Sequence, residues 1–160
     1  MWSALGKYLW VFLIAMVPII ELRGALPIAI GMGLPAIPSI IVAVLGNLLP
    51  VPFIYFFARK FLVWGSTKPI IGKICAFFVR KGERASQKLN TSAGKKGMFI
   101  ALMIFVGTPL PGTGAWTGTL AASFLNLDAK TTAASVCCGV VLAGIIMTVI
   151  SLTGAHMFGL

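Results

Sequence analysis

The chain has 160 residues, 59% hydrophobic and 10% charged, with a mean hydropathy of +1.02. That composition excludes a soluble globular domain and marks an integral membrane protein, too short to carry a separate nucleotide-binding domain. The net charge of +10 does not indicate nucleic acid, because ten of the thirteen Lys and Arg residues fall between Arg59 and Lys96, with Glu83 the one acid among them. A basic stretch between apolar segments is the cytoplasmic loop of the positive-inside rule, drawn to anionic lipid headgroups.

The first apolar stretch, Tyr8 to Gly33, is interrupted by Pro18, Glu21, Arg23, Gly24 and Pro27. Its start lacks the cleavage site and polar continuation of a signal peptide. An ionisable residue near the bilayer centre costs roughly 2.5–3.5 kcal/mol on insertion scales, so such residues are usually enclosed by protein and functional. Two opposite charges beside a glycine and between prolines predict a helix broken at mid-membrane depth. Pro38 to Ala58 follows as a clean apolar run, long enough to cross a bilayer, with Asn47 as a polar residue within it.

The basic middle segment has helical spacing. Ile70, Ile71, Ile74, Phe77 and Phe78 share one face, and Lys73, Arg80, Arg84 and Lys88 share another. This predicts an amphipathic helix lying in the inner interface, as anchor and orientation signal. Asn90 to Gly97 is a flexible connection.

The pattern then recurs. Met98 to Leu125 is apolar but interrupted by Gly107, Pro109, Pro111, Gly112 and Gly114, and Thr131 to Gly154 is a second clean span. The unbroken pieces of each interrupted segment are too short to cross alone. They suit re-entrant hairpins: a half-helix in, a turn, a half-helix out. The expected fold is an all-α membrane protein of two inverted repeats, each a re-entrant hairpin followed by a transmembrane helix. Residues 1–60 form repeat one, 61–96 the basic cytoplasmic linker, and 97–160 repeat two, within one membrane domain. Leu22 and Gly24 match Leu110 and Gly112 at one offset, and Leu45–Gly46 falls near Cys138–Gly139 at a slightly longer one. With the basic loop inside, both termini lie outside. The rival topology makes each interrupted segment a full kinked helix and puts both termini inside.

At mid-depth, half-helices are expected to start near Ala25 and near Thr113, so that two N-termini converge. Each offers free N–H groups and partial positive charge, and Arg23 adds a full one. Such a site suits a phosphate or carboxylate. Glu21 would balance Arg23 when the site is empty and take a proton when an anion binds. The alternative is a structural ion pair, and residues two apart in a helix meet only if the backbone unwinds. The candidate substrate-binding residues are Glu21, Arg23, Gly24, Asn47, Pro109, Pro111, Gly112 and Thr113. Thr108, Thr113, Thr117 and Thr119 surround the second break, where hydroxyls can satisfy freed backbone groups. Gly114 and Gly118 form a GxxxG pair that permits close helix approach. Cys75, Cys137 and Cys138 form no disulfide framework and no metal site. The stretch after Pro111 lacks a P-loop ending, and no cofactor or nucleic-acid partner is expected.

The segments Glu21-Leu-Arg-Gly-Ala-Leu-Pro27 and Pro109-Leu-Pro-Gly-Thr-Gly-Ala-Trp-Thr-Gly118 resemble the two signatures of the small multidrug export family, a distant relative of the DedA (VTT-domain) membrane proteins. The resemblance covers nearly the whole chain. It implies re-entrant hairpins in an inverted repeat, a prokaryotic cytoplasmic membrane location, and transport of small or amphipathic substrates. DedA-type relatives are linked to movement of lipids, including polyprenyl-phosphate carriers, and to proton-dependent drug resistance. They carry charges around the second hairpin, whereas Pro109 to Thr119 has none, so only Glu21 and Arg23 carry over. A transporter or flippase, without enzymatic activity, is the leading expectation. A structural or partner subunit is the alternative, and a lipid-phosphate enzyme a distant third, lacking a nucleophile–base pair or metal cluster. Membrane lipids surround the chain, and a homo-oligomer, most simply a dimer, is expected because one copy buries little.

Overall fold

The computed structural model describes residues 4–68, 72–73, 76–77, 80, 94–110 and 113–157. The amphipathic helix expected between Ile70 and Lys88 falls largely outside them, as do Pro111 and Gly112. Every element among the described residues is helical: α1 (Ala4–Met16), α2 (Glu21–Gly31), α3 (Ala36–Leu48), α4 (Val51–Ser66), α5 (Gly94–Gly107), α6 (Ala115–Phe124) and α7 (Ala129–Met157).

Two stretches are long and apolar enough to span a membrane. One is α7, with 29 residues; the other is α3 with α4, which together cover the 31 residues Ala36–Ser66. At 1.5 Å per residue each exceeds the ~30 Å hydrocarbon thickness. Both outrun the spans read from hydropathy, because polar and basic ends continue the helix beyond the apolar core. The joint at Leu49–Pro50 keeps helical dihedrals. Pro50 and Pro52 remove two N–H donors there without turning the chain aside, since proline is tolerated in a first turn.

The interrupted segments fold as antiparallel helix pairs. In the first, Lys7 near the start of α1 donates its ammonium to the Met32 carbonyl beyond the end of α2, at 2.8 Å. In the second, Leu102 and Val106 of α5 pack against Gly118 of α6. Met98, toward the start of α5, lines a groove with Leu125 and Leu127, just past the end of α6. Within each half the first helix of the pair lies on the long helix, α1 on α3 and α5 on α7, while the second crosses to the other half, α2 on α7 and α6 on α4.

Two glycines mark places where one helix approaches the backbone of another. A Cβ on Gly46 of α3 would sit 2.5 Å from the Phe12 carbonyl of α1, and one on Gly139 of α7 would sit 2.8 Å from the Met103 carbonyl of α5. Phe12 and Met103 each lie four residues before the end of their helix. The same device therefore seats the first helix of each pair on the long helix that follows it. The core between them is built of small and branched residues: Val11, Ala15, Leu22, Leu26, Val106, Val136 and Val140. Large apolar side chains such as Phe53, Phe57 and Ile145 face outward, as lipid-facing surfaces do.

Candidate functional site at the helix breaks

The first break is a tight turn over Val17–Ile20. Ile19 has φ of 81° and Glu21 φ of 50°, a region costly for any residue with a side chain and most of all for a β-branched one. That conformation starts α2 at Glu21, four residues earlier than expected, and lets side chains two apart converge. Arg23 Nη1 donates to Glu21 Oε2 at 3.0 Å. The unwinding that the pair requires is therefore present, and it sits on Glu21 itself. Gly24 follows because a Cβ there would meet the Ile20 side chain at 2.4 Å.

The second break supplies the remaining partners. Arg23 Nη2 donates to the Thr108 carbonyl at 2.6 Å, to the Val106 carbonyl at 3.2 Å and to Thr113 Oγ1 at 3.1 Å. Val106 lies at the C-terminal end of α5, where carbonyls lack intrahelical donors and carry partial negative charge, and Thr108 just follows. Glu21 does the converse. Its Oε1 accepts the Trp116 backbone N–H at 3.2 Å, in the first turn of α6. The N-cap position of α6 is Gly114, which has no side chain to cap it. Glu21 is thus a capping carboxylate delivered from the other half of the chain. The expected start at Thr113 moves to Ala115, and the two N-termini, of α2 and α6, meet through this carboxylate.

Trp116 completes the contact from the opposite direction. Its indole Nε1–H donates to the carbonyl of Met16, the last residue of α1, at 3.2 Å. Each half therefore fills helix-end acceptors of the other: Arg23 at the end of α5, Trp116 at the end of α1. Glu21 is 4% exposed and the Arg23 side chain 13%. Charges this buried are retained only with close partners, and removing one partner of such a pair costs about 3–5 kcal/mol.

The sequence-derived candidates separate into groups. Glu21, Arg23 and Thr113 are brought together. Gly24 and Pro109 shape the two turns and offer no side-chain polar contact. Pro111 and Gly112 lie outside the described residues. Asn47 is buried in α3 at 2% exposure with Oδ1 unpartnered, and among the described residues no hydrogen bond joins it to Glu21 or Arg23. Three of the four threonines at the second break behave as backbone partners: Thr108 donates to Ile104, Thr119 to Ala115, and Thr113 lies 2.8 Å from the Thr108 and Leu110 carbonyls. Arg23 Nε is buried without a partner.

Trp116 and the Val106 and Thr108 carbonyls escape sequence reasoning. One signal was present: a helix beginning after Gly114, with no Ser, Thr, Asp or Asn at its cap, needs an acceptor from elsewhere, and Glu21 is the only acid in the apolar segments.

Residues 21–146 match the family described as "Putative small multi-drug export protein", and the chain belongs to that family. The matched region begins at Glu21, just after the first break, and takes in the second break and most of α7. No match was found among curated proteins or among solved structures.

Proposed function

Starting from membership of that export family, we propose that the protein is a small exporter or flippase of the prokaryotic cytoplasmic membrane, with its substrate site where the tips of two re-entrant hairpins meet. The pairs α1–α2 and α5–α6 are the hairpins, and the halves of the chain form an inverted repeat. Antiparallel pairing, crossed packing and the matched seats of Gly46 and Gly139 support this reading. Charge placement supports the orientation: Lys7 and His156 mark one end, while Lys60, Lys68, Lys95, Lys96 and Lys130 gather toward the other, cytoplasmic one.

One observation carries the functional reading. A buried carboxylate, tied to an arginine, occupies a helix N-terminus at the junction of both breaks. That N-terminus is an anion seat, and Glu21 is its resident anion. An anionic group, such as a lipid phosphate, binds there by displacing Glu21, and the unpartnered Arg23 Nε offers it a further donor. Protonation of Glu21 removes the competing charge, which couples substrate binding to proton uptake. Drug export is often associated with cationic cargo, but an arginine and two helix N-termini favour an anionic or amphipathic one.

A structural reading has its own support, since Arg23 already holds four acceptors. Proteoliposome flux separates the two. Wild type should move a short-chain phosphatidic acid across the bilayer when a pH gradient is imposed. Arg23→Gln and Glu21→Gln should elute as folded protein and move none. Unfolding of both variants, or flux equal to wild type, supports the structural subunit instead.

A further inference from the structure

Away from the Glu21–Arg23 contact, a cavity of about 320 Å³ opens between α4 and the first turns of α7. Val51, Pro52, Tyr55, Phe56, Ala133 and Cys137 give it apolar walls. Thr132 is the exception. It is 1% exposed, lines the cavity, and its hydroxyl has no partner. Of the six hydroxyl side chains on α7, the other five all donate within or just ahead of the helix: Thr131 to Asp128, Ser135 to Thr131, Thr148 to Gly144, Ser151 to Met147 and Thr153 to Val149. A buried hydroxyl left unpaired is unfavourable. An apolar cavity with one such donor suits a ligand that is mostly hydrocarbon and brings one uncharged acceptor, because an unpaired charge in that setting would cost far more.

The surroundings identify the ligand. The flank of α4 beside the cavity exposes Phe53, Phe56 and Phe57, so the cavity faces the acyl region of the bilayer. Polarity falls along α7 from its start: Lys130 is exposed beside the lining residue Ala129, and the lining then continues through Thr132 to Ala133 and Cys137. Lys95 lies close enough to Asp128 to act on its charge and adds to the basic character of this end. Charge, neutral donor and hydrocarbon therefore follow one another in the order phosphate, ester and acyl chain follow in a phospholipid.

We propose that this cavity is a binding site for an anionic phospholipid of the inner leaflet. One acyl chain lies against Phe56, Ala133 and Cys137, an ester carbonyl accepts from Thr132, and the phosphate faces Lys130. The site is separate from the transport pathway proposed above, and its test does not depend on that reading.

Cys137 is an exposed thiol on the cavity wall, and Cys138, also exposed, is absent from that wall. Two single-cysteine proteins use this difference. One carries Cys75→Ser and Cys138→Ser, and the other Cys75→Ser and Cys137→Ser. Each is purified in detergent and its alkylation rate by a maleimide measured as dioleoyl phosphatidylglycerol or dioleoyl phosphatidylcholine is added. Phosphatidylglycerol should slow alkylation of Cys137 and leave Cys138 unchanged, with phosphatidylcholine much less effective. Thr132→Val keeps the shape and removes the donor, and should raise the half-protecting lipid concentration roughly fivefold. Ala133→Leu, at an exposed position where added bulk is tolerated, should fill the cavity and abolish the lipid dependence even if Thr132→Val proves unstable. Equal protection by both lipids overturns the anionic assignment. Equal slowing of Cys138, or unaltered lipid dependence in Ala133→Leu, overturns the site.

Discussion

The carboxylate of Glu21 fills the space that a side chain on Gly114 would need: a Cβ built on Gly114 would lie 1.5 Å from Glu21 Oε2. Gly114 has an ordinary extended backbone, with φ of −81°, so its glycine identity answers to this contact and not to conformational freedom. Gly114→Ala should therefore expel Glu21 from the α6 N-terminus and destabilise the protein by several kcal/mol, as for a buried ion pair that loses its setting. Combining it with Glu21→Ala should cost less than the two changes summed. Thermal unfolding of the four proteins of this cycle checks the coupling, and strict additivity would place the two residues apart.

The matched glycines lead to a paired expectation. Gly46→Val and Gly139→Val should each weaken folding, because the added methyls meet the Phe12 and Met103 carbonyls, and overpacking costs ~1–3 kcal/mol. Gly31, with open space around it, is the control position. Expression level and detergent-resistant elution of Gly31→Ala beside the two valine variants give the comparison; an unaffected Gly139→Val contradicts the close helix contact.

Arg23→Lys tests geometry apart from charge. The guanidinium reaches Glu21 with one nitrogen and Val106, Thr108 and Thr113 with another. A lysine ammonium is a single point with three donors and cannot span both breaks. Flux should fall at least tenfold with the charge retained, and stability should fall with it. Normal flux in the lysine variant would mean that charge alone suffices.

The acid sensitivity of α7 is separable from the site. The Thr131 backbone N–H donates to Asp128 Oδ2 and the Thr131 hydroxyl to Oδ1, each at 2.9 Å, and these bonds, the backbone one first, hold the carboxyl below its ordinary value. A depressed folded value means the stabilisation is full above the unfolded pKa of about 4 and is lost as pH falls through the folded one. Asp128→Ala should cost ~1 kcal/mol at neutral pH, as lost caps do, and flatten the acid limb of a melting-temperature profile.

Much of this architecture is legible in the residues. Pro18, Gly24, Pro109 and Gly114 announce the breaks, and the two uninterrupted apolar runs announce the long helices. Glu21 and Arg23 stand out because charge is costly there. The partners of those charges are not legible. Arg23 is held by the Val106 and Thr108 carbonyls, and Glu21 by the Trp116 N–H; backbone groups have no residue signature and come from more than eighty positions away. The start of α2 escapes for a related reason: local rules put the helix after Gly24, whereas it begins at Glu21, which is held at positive φ by its contacts with Arg23 and Trp116, a conformation that propensity disfavours.

The central claim is that Glu21 is the resident anion of a seat that substrate must take over. It is tested most directly by binding of a short-chain phosphatidylglycerol, whose phosphodiester keeps a single charge, to purified wild type and Glu21→Gln at neutral pH. Glutamine keeps the shape and removes the competing charge, so the variant should bind roughly tenfold more tightly than wild type. Equal affinity in both proteins would contradict the claim and leave Glu21 as the structural partner of Arg23 alone.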